Sequence, residues 1–137
     1  MDNCTFCKLV RGELPALVVY EEENVIALLP KEMEVPYHTL VIPKEHFADL
    51  YNIPENIFAD ITRVCKQLTL DYRERIGATA MNLLHASGKD GQQSVPHFHI
   101  HLFPRFENDG IDAWPKLPEV QIDRNETLKK LKNPNSF

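Results

Sequence analysis

The sequence predicts an α+β fold: a five-stranded antiparallel sheet carrying one long helix and one or two short ones. Three observations lead there. Between Pro54 and Ile76 the apolar residues Ile57, Ile61, Val64, Leu68, Tyr72 and Ile76 recur at spacings of three and four, the stripe of a helix buried along one side. Near the other end, Phe98, Ile100 and Leu102 alternate with His97, His99 and His101, which is the two-residue period of a strand. Four more short β-rich runs stand between turn signals without evident crossovers, the pattern of an antiparallel sheet. A chain of 137 residues, 43% of them hydrophobic, suffices for one well-buried core and is short for two.

In chain order, Thr5 to Arg11 reads as a short helix that Gly12 ends and Pro15 keeps from resuming. Leu17–Tyr20 and Val25–Leu29, joined by the polar turn Glu21-Glu22-Glu23-Asn24, form a hairpin. His38–Ile42 is a third strand bracketed by Pro36 and Pro43, and Lys44–Leu50 reads as one or two helical turns. Pro54 suits the first position of the long helix and Gly77 its stop, although Ile53 offers no capping side chain. Ala78–Ala86 is a fourth strand, and Ser87-Gly88-Lys89-Asp90-Gly91 is a turn-rich loop delivering the chain to the histidine strand. Beyond Phe106 the pattern weakens, with Thr127–Lys132 a helical segment. We therefore divide the chain into a domain over residues 1–106 and a tail over 107–137, packed on the same domain or on a second subunit through residues such as Trp114 and Pro115.

A net charge of −5 argues against non-specific nucleic-acid binding, which requires a basic face. Small partners are expected instead. Lys44, Lys89 and Arg105 flank the motif segments, so a local site could still draw an anion. No apolar run is long enough to cross a bilayer, and Met1-Asp2-Asn3-Cys4 leads into no apolar signal segment. A cytoplasmic location is the expectation. In such a reducing compartment the three cysteines are not expected to pair. Cys4 and Cys7 read as metal ligands or idle thiols, and Cys65 as a small apolar core residue.

An ordinary strand has no reason to repeat one titratable residue three times on one face. The row His97, His99, His101 therefore points either to a metal or to acid, base or nucleophilic chemistry on an anion. Residues two apart on a strand stand roughly 6.5 to 7 Å apart, so three rings in a line converge poorly on one ion. Successive oxygens of a phosphate chain suit that spacing better.

The segment Pro96-His97-Phe98-His99-Ile100-His101-Leu102-Phe103 resembles the His-x-His-x-His-x-x signature of the histidine triad family. Cys4-Thr5-Phe6-Cys7-Lys8, Arg11-Gly12-Glu13-Leu14-Pro15, His38 through His46, and Asn82-Leu83-Leu84 resemble further family segments in the same order, so the likeness runs from about Cys4 to Arg105. The resemblance implies a homodimeric nucleotide hydrolase or transferase that cleaves at the α-phosphate of nucleoside phosphoramidates or dinucleoside polyphosphates. It makes His99 the nucleophile, oriented by a main-chain carbonyl near His97, with His101 and the His99 backbone N–H on nonbridging oxygens. Ser94 is implied to hydrogen-bond the leaving group, and His38 to support the row from a neighbouring strand. Gln93, Asn82 and Lys89 are the expected substrate contacts. In bacterial members of similar sequence a structural zinc joins residues matching Cys4, Cys7, His46 and His97, a complete Cys₂His₂ set. No organic cofactor is implied.

Three departures bear on substrate choice. Pro30 stands where family members commonly carry a ribose-binding Asp, with Glu32 and Glu34 the nearby carboxylates that could substitute. Ala86 occupies the place of an Asn that often contacts the nucleotide, and Tyr37 replaces a small residue before His38. The reactive row is intact while nucleoside recognition is altered. Two other readings stay open: a nucleotide-binding or scaffold protein of the same fold with little turnover, and a catalytic metal centre built on the histidines.

Overall fold

The computed structural model describes residues 3–132. Its elements run α1 (Thr5–Val10), β1 (Val18–Glu21), β2 (Val25–Leu28), β3 (Thr39–Pro43), α2 (Glu55–Ile76), β4 (Ala80–Leu84), β5 (Ile100–Arg105) and α3 (Arg124–Leu131), with a 3₁₀ turn over Lys89–Gly91. The five strands form one sheet in the order β1-β2-β3-β5-β4, and every neighbouring pair is antiparallel. Since β5 opposes both β3 and β4, those two strands run the same way. The chain between them is therefore a crossover made by α2, which strand-counting along the sequence had not supplied.

Helix α2 lays the stripe Ile57, Ile61, Val64, Leu68 and Tyr72 against Val25, Ala27, Val41, Phe98, Ile100 and Leu102. Its stop is Gly77 at φ 71°, a left-handed conformation that only glycine adopts without strain. Its start has no side-chain cap; Pro54 fills the cap position and Glu55 opens the helix. Tyr72 reaches through the stripe to place its hydroxyl 2.6 Å from Thr39 Oγ1 on β3. Cys65 is buried here and its thiol is pushed up to about 12 by desolvation, which makes it an inert core residue.

The opposite face of the sheet is also covered. Cys4, Phe6 and Cys7 at the N-terminal helix pack with Ile26, Leu28, Leu40 and Ile42. The imidazole face is therefore itself a core face: His97 is 0% exposed and His99 4%. Two expectations are corrected. Regular strand begins only at Ile100, so His97 and His99 sit in the extended approach to β5. Residues 44–50 form no helix, because their backbone groups are taken elsewhere: Phe47 O accepts from Phe98 N at 2.7 Å, Ala48 O from Gln93 Nε2 at 2.6 Å, and Leu50 N donates to Ser87 Oγ at 2.9 Å. These bonds staple the segment to the loop that carries the site.

In the tail, α3 spans Arg124–Leu131 with Asp123 capping its first turn. Trp114 is 82% exposed and does not pack on the domain. The tail residues 133–137 lie outside the described residues.

Candidate functional site

The site forms where β4 ends, the 3₁₀ loop returns and β5 begins. A cavity of about 300 Å³ is lined there by Glu34, Leu84, His85, Ala86, Gly91, Gln92, Ser94, His99, His101 and Phe103. His99 is closed off from bulk solvent but forms part of this wall. Gln92 holds φ at 69° to turn the loop into it, a conformation uncommon for a residue with a Cβ.

The hydrogen bonds determine which nitrogen of each ring carries its proton. His99 Nδ1 lies 2.8 Å from the His97 carbonyl oxygen. A carbonyl only accepts, so Nδ1 carries the hydrogen and Nε2 keeps its lone pair. For His101 the chain of donors is longer. Glu34 N–H donates to His38 Nδ1 at 3.2 Å, and His38 Nε2 is 2.9 Å from His101 Nδ1. His38 must then donate from Nε2, which leaves His101 with its hydrogen on Nε2. The cavity wall thus offers a ring with a free lone pair beside a ring with a free donor.

Burial keeps these rings neutral. Desolvation is the largest influence on each, with neighbouring imidazoles adding to it, and it pushes His38 and His101 down to about 4. His99 is also lowered, chiefly by burial, against an opposing pull from the His97 carbonyl. Near pH 7 the wall therefore presents a neutral lone pair at His99 Nε2 and a neutral N–H donor at His101 Nε2.

His97 turns the other way. Its Nε2 donates to Pro43 O at 2.9 Å, leaving Nδ1 3.3 Å from Cys4 Sγ and 3.6 Å from Cys7 Sγ, while His46 Nδ1 is 3.3 Å from Cys7 Sγ. All four ligand atoms lie within 4.8 Å of one another. A tetrahedral zinc with ordinary bond lengths separates sulfur from nitrogen by about 3.6 Å, so this donor set fits that ion. The Pro43 contact would fix the orientation of His97 as a ligand to such an ion. Phe6 of α1 stacks edge-on against both His97 and His99, at 5.6 and 5.2 Å.

Several expected contacts are placed differently. Gln93 spends its amide on backbone, donating to Ala48 O and Val95 O and accepting from Gly88 N; it shapes the loop and does not line the cavity. Asn82 accepts from Arg105 Nη1 at 2.9 Å, part of a knot in which Asp109 holds the same guanidinium, away from the cavity. Lys89 is exposed on the 3₁₀ turn, outside the lining. Ser94 does line it. His38 and His97 are not among the residues lining the cavity; His38 bonds His101 through its ring and His97 bonds His99 through its carbonyl. His85 escaped the sequence reading. It is the one histidine of the chain's six outside the recognised segments, and that was the available signal.

Known proteins are similar in both sequence and fold. A HIT domain model matches residues 11–108. An uncharacterised HIT-like protein of Methanocaldococcus jannaschii is 36% identical over 130 residues, 94% of this chain and 98% of the relative. An adenosine 5′-monophosphoramidase of Candida albicans is 33% identical over 144 residues, covering 96% of this chain and 95% of the enzyme. The crystal structure of a zinc-bound histidine triad family protein from Mycobacterium smegmatis superposes with a TM-score of 0.78 at 33% identity, over 92% of this chain and 88% of that one. With the domain model spanning most of its length and the histidine row in place on the matching fold, this chain belongs to the HIT, or histidine triad, family.

Proposed function

We propose that this chain is a nucleotide hydrolase or transferase that cleaves at the α-phosphate of nucleoside phosphoramidates or dinucleoside polyphosphates through a nucleotidyl-His99 intermediate. The observation that carries the proposal is the commitment of His99 Nδ1 to the His97 carbonyl, which leaves Nε2 unprotonated on a ring that lines the cavity. The name of the Candida albicans relative, an adenosine 5′-monophosphoramidase, supports the substrate class.

In this reading Nε2 attacks the α-phosphorus, a P–N bond to the ring forms, and the bond to the leaving amine breaks as that amine gains a proton from solvent through Ser94. The ring becomes cationic on attack, and its Nδ1–H bond to the His97 carbonyl strengthens as it does so. His101 Nε2–H and the His99 backbone N–H hold nonbridging oxygens, where charge develops. Water then displaces the ring, releasing the nucleotide and restoring neutral His99.

The same proposal assigns zinc to Cys4, Cys7, His46 and His97, as a structural ion joining α1 to the residue whose carbonyl orients His99. When bound, the ion supplies a cross-link. The zinc-bound Mycobacterium smegmatis structure supports that choice of metal. A homodimer in a cytoplasmic setting completes it. Support comes from edge strand β4 and α2, where Leu83 is 50% and Leu70 48% exposed, and from the uncovered apolar residues of the tail. An edge left open in this way invites pairing. Sedimentation at a single-chain mass would contradict the dimer.

The test is turnover of adenosine and guanosine 5′-phosphoramidates by wild type and His99→Ala. Release of nucleotide by the first and not the second is expected. A second reading, a binding protein with little turnover, draws on Ala86 in the cavity wall and Pro30 beyond β2. Tight nucleotide binding without release by wild type would select it.

A further inference from the structure

We infer that His85 is a positioning residue for His99, holding the nucleophile's backbone at the point where β4 leaves the sheet. The inference rests on the reading of His99 given above. The pairing of β4 with β5 ends at Leu84–His101; one more step of that register in each strand, then another, would set Ala86 opposite His99. Instead the chain peels away, and Leu84, His85 and Ala86 become one wall of the cavity that His99 and His101 face. The His99 carbonyl at this opening is taken by a side chain: His85 Nδ1 lies 2.8 Å from it.

The other nitrogen is fixed as well. In the neutral ring, with Nδ1 donating to the carbonyl, Nε2 accepts, and Ser87 Oγ lies 2.6 Å from it. Ser87 Oγ in turn accepts the Leu50 N–H at 2.9 Å. A line of donors therefore runs from the Leu50 amide through Ser87 and His85 to the carbonyl of His99. The ring also lies over Phe98 at 4.5 Å, tilted by 32°, and Phe98 is fully buried under α2. His99 is consequently held from two sides. The His97 carbonyl sets its ring, and His85 sets its main chain, including the N–H that faces the attacked phosphate in the mechanism. A shift of about 1 Å in either would misdirect the attack.

The experiment compares wild type with His85→Ala, His85→Asn and Ser87→Ala. The Asn amide nitrogen occupies the place of imidazole Nδ1, so it restores the donor to the His99 carbonyl without the aromatic ring. With adenosine 5′-phosphoramidate, His85→Ala should lower kcat by about 10- to 100-fold, the range seen when a hydrogen-bond partner that orients a metal-bound histidine is lost, with KM little changed. His85→Asn should recover most of that loss, and Ser87→Ala should fall between. Nitrogen-15 spectra of the histidine rings supply a readout independent of turnover: the His99 signals should move in His85→Ala and return in His85→Asn. Equal activity of wild type and His85→Ala, or equal impairment of the Ala and Asn variants at matched thermal stability, would overturn the inference. If wild type itself does not turn over, the enzymatic reading fails, and the ring spectra alone decide the positioning role: unmoved His99 signals in His85→Ala would refute it.

Discussion

His38 never reaches the cavity, yet it decides what His101 can do there. Its Nε2–H occupies His101 Nδ1 and so keeps the His101 hydrogen on the opposite nitrogen. Removing it by His38→Ala leaves His101 free to take either tautomer, and kcat should fall about 10- to 100-fold with a smaller change in KM. Steady-state kinetics check this, and an unchanged kcat would mean that His101 needs no such support. The same two rings give a pH prediction. Both are held near 4 in the folded chain, against about 6.5 in an unfolded one. Between those values the unfolded chain binds protons that the folded chain refuses, so stability present above pH 6.5 is lost as pH falls toward 4. Urea midpoints should drop from pH 7 to pH 5, and the drop should shrink in the double variant His38→Gln/His101→Gln. A midpoint independent of pH over that interval would contradict the account.

At the scale of elements, α2 was legible because its stripe obeys the 3.6-residue period from Ile57 to Tyr72 and its stop is a left-handed glycine. Leu68 lies in that stripe, 2% exposed, and Leu68→Ala should cost about 2–5 kcal/mol of stability while leaving the adduct chemistry of folded protein intact. Chemical denaturation checks the first part, and a cost well below that range would place Leu68 outside the core. The alternation of His97 to Leu102 was equally legible, since each successive side chain changes face. Two features were not. Residues 44–50 carry no local signal against a helix; what decides them is the demand of Phe98, Gln93 and Ser87, distant in sequence, for their backbone groups. His85 carries no motif either. Its role arises from where β4 stops pairing, which periodicity does not reveal. Gln93 and Asn82 show the converse: they match the family, but the Gln93 amide bonds the backbone of Gly88, Ala48 and Val95, and the Asn82 side-chain oxygen accepts from Arg105.

For the whole molecule, the two faces of the sheet do different work. The α2 face holds the larger apolar cluster, and the other face combines a second, smaller one with the histidines beneath the N-terminal helix. The proposed zinc at Cys4, Cys7, His46 and His97 would bind that helix to the site. Cys4→Ala should therefore lose bound zinc and melt at a lower temperature, yet keep measurable turnover at temperatures where it stays folded. Metal analysis beside activity checks this, and activity lost in proportion to zinc would argue for a metal-centred reaction. Every step of the proposed reaction depends on the uncommitted Nε2 of His99. Intact mass spectrometry after rapid quench with adenosine 5′-phosphoramidate tests it most directly. The prediction is a transient mass increase equal to one adenylyl group, absent from His99→Ala; product release by wild type with no such species, or an undiminished adduct in His99→Ala, would contradict it.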